Sequence, residues 1–315
     1  MPHWKLILAY DGTPYNGWQI QPNLPTVQGT LAHAIHHVTG ETVLPQGSGR
    51  TDAGVHALAQ VATFSLTVPI PAANLHRALN RALPPSIRVL SVEAVPEDFH
   101  ARHNALRKTY QYRILPGDPI CSPMLAPYVW VCRYSLDLAV LQQAAAHVLG
   151  THDFTSFAAN DPDQTTRNAA YQRPLEDTPP NDAFSSRTNP KDVISTGGGA
   201  LAAAVERSPH FVAAAASSPY AADATSPIVA IDLIENVRTI YHSAWHQQED
   251  LLIYRVTGSG FLHHMVRNLV GTFVEAAANR ISADEVPTIL SARDRSAAGP
   301  TAPASGLFLV EVEYK

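Results

Sequence analysis

The chain has 315 residues, 45% hydrophobic and 16% charged, which supports a full apolar core in one large or two medium domains. Its apolar runs fall short of the ~20 residues a membrane span requires, and the start Met1-Pro2-His3-Trp4-Lys5 lacks the basic-then-apolar layout of a secretory leader, so a cytoplasmic protein is expected. Two separated cysteines, Cys121 and Cys132, predict reduced thiols instead of a zinc site or a disulfide framework. A net charge of −5 argues against a phosphate-rich partner until it is located. Residues 161–235 hold 5 Lys and Arg against 10 Asp and Glu, and removing them from totals of 22 and 27 leaves 17 of each elsewhere.

In chain order, residues 6–10 read as a strand closed by Asp11-Gly12. Thr26 then caps a helix with the apolar face Val27, Leu31, Ile35 and Val38, ending at Gly40. A strand at 61–64, a helix at 75–83 stopped by Pro84-Pro85 and a strand at 87–95 follow. The order then recurs, with a strand at 108–115, a helix at 136–149, strands at 237–245 and 251–257, and a helix at 261–278. Ser282 and Glu285 form a capping box before a short helix, and 307–314 is the last strand. Without strict βαβ alternation this is an α+β pattern, mainly an antiparallel sheet with helices on one face. It divides into an N-terminal half, 1–105, and a C-terminal half, 106–315. The Ala-, Ser- and Pro-rich stretch at about 164–226 has few large apolar side chains and is expected to be a mobile, acidic insertion.

Two features carry chemistry. The first is Gly47-Ser48-Gly49-Arg50-Thr51-Asp52-Ala53-Gly54-Val55-His56, a loop between strands that places three glycines around one Arg and one Asp. Glycine there permits positive φ and close approach of a ligand to the backbone. The second is the basic stretch from His100 to Arg113, in which Arg102, Arg107, Lys108 and Arg113 interleave with Tyr110 and Tyr112 and no acid intervenes, a pattern suited to an RNA backbone. The pairs His36-His37 and His263-His264 are not expected to bind a metal, because adjacent residues on a helix point about 100° apart.

With Tyr10-Asp11-Gly12 and Tyr15-Asn16-Gly17-Trp18-Gln19, the loop resembles that of the tRNA pseudouridine synthase A family. The likeness continues through Asp98-Phe99-His100-Ala101-Arg102, Lys108-Thr109-Tyr110-Gln111-Tyr112-Arg113 and Asp153-Phe154-Thr155-Ser156-Phe157 to Phe261-Leu262-His263-His264-Met265-Val266-Arg267-Asn268 and Ser305-Gly306-Leu307. It covers the chain in order apart from the insertion.

The resemblance implies two related halves of RRM or ferredoxin-like form around a central cleft. It also implies isomerisation of uridine to pseudouridine in the tRNA anticodon stem-loop (positions thirty-eight to forty), by a homodimer that binds one tRNA across both subunits. Asp52 would be the essential carboxylate, Arg267 its ion-pair partner, Arg50 the side chain that helps expel the target nucleotide, and Tyr110 the ring stacked on the flipped base. Arg102, Arg107 and Lys108 would hold the RNA backbone. The reaction is redox-neutral and calls for no cofactor and no metal. Two routes stay open for the carboxylate: addition at C1′, or formation of a glycal by removal of the 2′ proton. RNA binding without catalysis would dispense with Asp52, and hydrolysis would call for a metal cluster or a second partnered carboxylate.

Overall fold

Burial alternates strictly along β1 (His3–Tyr10), with Trp4, Leu6, Leu8 and Tyr10 inward, and this strand organises the N-terminal part of the sheet. It lies between β3 (His56–Ser65) and β4 (Ile87–Val95), antiparallel to both. Helix α1 (Val27–Thr39) begins at Thr26, whose hydroxyl accepts from the Gly29 N–H, and ends at Gly40 in the left-handed conformation, φ 75°, both as the sequence predicts. Helix α2 (Ala72–Ala82) packs on α1 and over β4, turning Leu75 and Leu79 inward. This structure, a computed structural model, describes residues 1–117, 119–159 and 236–315. The insertion expected at 164–226 lies outside the described residues.

The second part of the chain extends the same sheet. β5 (Arg107–Pro116) pairs with β9 (Leu251–Gly258), β9 with β8 (Val237–Gln248), and β8 with β7 (Gly150–Asp153). The C-terminal strand β10 (Leu307–Glu313) inserts between β3, to which it runs parallel, and β5, to which it is antiparallel. The order is β4-β1-β3-β10-β5-β9-β8-β7, with β2 (Gln46–Gly47) on β3 and β6 (Trp130–Cys132) parallel to β5. The fold is therefore α+β with a mainly antiparallel sheet. Helices α3 (Leu138–Ala146), α4 (Met265–Ala277) and α5 (Val286–Ala292) complete it.

Residues directly opposed in a ladder share a face. Successive pairings run Ile87, Tyr10, Ala57, Leu309, Tyr110, Val256 and Ser243 in one buried row across the sheet. On the same face Tyr254, opposite Tyr112, meets Phe273 of α4 edge-on at 5.5 Å. Burying a side chain such as Leu6 or Phe273 contributes about 1.5–3 kcal/mol. The helix expected at 261–278 starts only at Met265, because His264 takes a left-handed conformation, φ 58°, at its N-cap.

Candidate active site

Asp52 lies on the loop between β2 and β3, and hydrogen bonds to neighbouring elements fix the loop's backbone. The Trp18 N–H donates to Thr51 O at 2.9 Å and the Val55 N–H to Asp52 O at 3.1 Å. From beneath, Ser48 Oγ donates to Gln60 Oε1 at 2.7 Å while Gln60 Nε2 donates to Gly49 O at 2.9 Å, and the Tyr10 and Thr51 hydroxyls share a 2.8 Å bond. Gln60 is fully buried in β3, so its amide is a sheet-borne clamp for the loop. The glycines serve this internal fit more than ligand approach. Gly54 takes φ 77°, whereas a Cβ at Gly47 would stand 2.6 Å from the buried Trp18 ring.

The carboxylate meets side chains from a segment more than two hundred residues away. Arg267 Nη1 donates to Asp52 Oδ2 at 3.0 Å, and Arg267 Nε donates to Ala302 O at 2.7 Å, which holds the guanidinium from its other side. Side-chain exposures of 15% for Arg267 and 22% for Asp52 make this a half-buried pair. Asn268, the next residue in α4, is fully buried. It donates to Phe157 O at 2.7 Å and accepts from Arg295 and Thr301, which anchors this turn of helix.

His263 and His264 complete the surroundings of Asp52 and were missed as site residues. Their Nε2 atoms lie 3.6 Å from Oδ1 and 3.3 Å from Oδ2. The expectation that they diverge assumed helical geometry. Both precede α4, and with His264 at positive φ their rings lie against each other, centroids 3.9 Å apart and tilted by 31°. Burial, the largest influence, lowers the His264 pKa against the pull of Asp52, with His263, Arg267 and Arg295 adding to the depression.

Tyr110 is buried in the central row and meets Phe261 edge-on at 5.1 Å. Burial holds its phenol well above the ordinary range, and nearby Tyr10 and Asp52 push the same way, so it is neutral near pH 7. Tyr10, bonded to Thr51 and Gln60, is pushed up to about 12 by burial. Arg50 is half-buried on the same loop as Asp52.

The basic stretch does not form one exposed strip. Arg102 and Arg107 are exposed, and Arg107 lies 4.4 Å over the Tyr241 ring and 4.0 Å from Glu313. Strand alternation puts Arg113 on the same face of β5 as Arg107, the face away from Tyr110, where it lies 4.0 Å over Phe308. Lys108 turns inward, donating from Nζ to Ser48 O at 2.6 Å, and burial lowers its pKa to about 8. Lys108 thus supports the Asp52 loop from below, a more buried setting than that of Arg102 and Arg107.

A sequence model of tRNA pseudouridine synthases matches residues 6–104 and 232–315. The chain is 41% identical to tRNA pseudouridine synthase A of Solibacter usitatus over 310 residues, 98% of both chains. It is 35% identical to the protein of that name from Moorella thermoacetica over the whole of both. The chain belongs to the tRNA pseudouridine synthase family. In this member of the family the matched segments carry Arg50, Asp52, Arg102, His263, His264 and Arg267, while Tyr110, Arg107 and Lys108 fall between them. His56 shows why a motif residue need not touch substrate. Its ring stacks on Phe308, accepts from the Gly12 N–H at 3.0 Å and bonds Pro127 O at 3.0 Å, so it ties the loop's exit to neighbouring backbone.

Proposed function

We propose that this chain isomerises uridine to pseudouridine in the anticodon stem-loop of tRNA, with Asp52 as the carboxylate that acts at the ribose. The observation that carries the reading is Asp52 itself, an acid on a clamped loop, bonded to an arginine from the opposite end of the chain, in the one region where Tyr10, Tyr110 and Phe261 also converge. In the reaction the N1–C1′ bond breaks, the uracil turns, C5 bonds to C1′, and the proton lost from C5 is balanced by one gained at N1. Asp52 acts at the sugar as nucleophile or base; Arg267 holds its charge in place and keeps one carboxylate oxygen occupied. Tyr110 stacks on the detached base and, neutral in its buried setting, hands protons over at C5. Arg50 fills the space left when the nucleotide leaves its stem. Arg102 and Arg107 contact the RNA backbone, and the enzyme works as a homodimer. No described helix is long and apolar enough to cross a membrane.

The test is direct. The purified chain, incubated with an unmodified tRNA transcript carrying uridine tritiated at C5, releases one tritium per pseudouridine formed, and sequencing places each in the anticodon stem-loop. Release without pseudouridine, or no release, refutes the assignment.

A further inference from the structure

The sequence assigns His263 and His264 no catalytic role and argues against a metal there, yet the chain goes to some length to aim them. A left-handed conformation at a residue with a Cβ is uncommon and persists where its surroundings enforce it. At His264 the turn is closed by the Met265 N–H donating to Leu262 O at 3.1 Å and the Asn268 N–H donating to His264 O at 2.9 Å. The result is three donor atoms, two imidazole nitrogens and a carboxylate oxygen, all within 4.8 Å of one another.

The spacings separate two explanations. A charge-assisted N–H···O bond closes to about 2.7–2.9 Å. The observed 3.3 and 3.6 Å are longer. They are close to the roughly 3.3–3.4 Å separation of two ligand atoms on a tetrahedral zinc with bonds of 2.0–2.1 Å, with His263 approaching Oδ1 and His264 approaching Oδ2. Arg267 also holds Oδ2, the oxygen that His264 approaches, so an ion competes with the guanidinium there, whereas Oδ1 is the oxygen that His263 approaches. Two imidazoles and one carboxylate favour zinc-class ions over magnesium or calcium, which prefer all-oxygen shells. Two features limit the affinity: the neighbouring Arg267 charge, and a His263 Nδ1 that is buried without a partner among the described residues, where a strong site would supply an acceptor.

We propose that Asp52, His263 and His264 form a binding site for one divalent transition-metal ion of the zinc class, and that filling it inhibits the enzyme by withdrawing the Asp52 carboxylate from substrate. Binding stands on the geometry alone; inhibition rests on the catalytic reading of Asp52. The ion is an inhibitor here and plays no part in turnover.

Cobalt(II), titrated into the purified protein without RNA, supplies a visible d–d spectrum as the probe, and zinc displaces it. The expected result is one equivalent bound, an affinity at least tenfold weaker in His264→Gln and in Asp52→Asn, and no change in His37→Gln, an exposed histidine on α1. His263→Asn serves if either variant melts early. Zinc then slows tritium release, and chelation restores it. Equal affinity in wild type and the site variants, or no cobalt spectrum, overturns the site. Site-dependent binding that leaves tritium release untouched keeps the site but refutes inhibition, and counts against Asp52 as the catalytic carboxylate.

Discussion

Replacing Asp52 with Asn separates chemistry from structure. The substitution keeps volume and leaves Arg267 Nη1 an acceptor where Oδ2 now stands, 3.0 Å away. What is lost is the charge, and ionised partners roughly double the strength of a hydrogen bond. For a pair with side-chain exposures of 15% and 22%, between a surface and a buried ion pair, the cost is about 1 kcal/mol, a fall of a few degrees in Tm. A carboxylate that must act at the ribose is a different matter. Its removal lowers turnover at least a thousandfold, about 4 kcal/mol of lost transition-state stabilisation. The two magnitudes differ enough that stability loss cannot stand in for lost chemistry. Tritium release at saturating tRNA, filter binding of the same tRNA and a thermal melt read the three quantities, and affinity is expected to be unchanged. Turnover above a thousandth of wild type refutes the role of Asp52. A melt lowered by many degrees shows instead that the carboxylate anchors the fold.

Tyr110→Phe removes one hydroxyl and keeps the ring packed on Phe261, so kcat falls about a hundredfold with tRNA binding intact; unchanged kcat leaves the ring with a packing role only. Gly17→Ala forces a Cβ onto backbone at φ 86°, 2.5 Å from Thr51 O, and is expected to cost upwards of about 2 kcal/mol by denaturant melt while lowering activity; a wild-type melt contradicts the clamped loop. Lys108 gives a pH signature. Its folded pKa of about 8 lies below the ordinary 10.5, so the unfolded chain binds more protons between those values and its contribution to stability rises with pH there. The stability of wild type minus that of Lys108→Met should rise between pH 7.5 and 9.5 by at most about 2 kcal/mol, since the Ser48 carbonyl favours the ammonium; no rise means the ammonium is solvated. Exhaustive EDTA treatment leaves tritium release undiminished provided the tRNA stays folded, and a loss restored by zinc or magnesium would revive the hydrolytic reading.

Local rules made the regular elements legible. Thr26 and Gly40 bound α1 as read, β4 matches its predicted span, and the Ser282 and Glu285 capping box forms as written. The elements that were not foreseen, β2, β6 and β7, are two to four residues long, too short to show a period, and exist because a longer strand offers them an edge. The site divides the same way. Asp52 and Arg267 stand out in sequence because each sits in an unusual setting, among glycines or within an apolar helix. Gln60 was hidden although it is the single amide in a strand of Ala, Val, Thr and Phe, a signal that its buried bonds to Ser48 and Gly49 explain. The aim of His263 and His264 depends on one left-handed residue, which no helical period encodes.

What sets the distance between Asp52 and Arg267 is the last strand. β10 fills the centre of the sheet, parallel to β3 on one side and antiparallel to β5 on the other, so Leu309 is the residue that joins Ala57 to Tyr110 across the row. The stretch leading into it carries Ala302, whose carbonyl accepts from the Arg267 guanidinium and whose N–H donates back to Arg267 O at 3.1 Å, and Pro303, whose carbonyl accepts from the Tyr112 hydroxyl at 2.7 Å. Arg267 is thereby tied to the segment that enters β10, while the Asp52 loop is tied to β3, which β10 flanks. The acid and its partner, 215 residues apart in sequence, meet only once the C-terminal strand is seated. Loop-closure entropy makes so non-local a contact late to form, and the site is complete only when the whole sheet is.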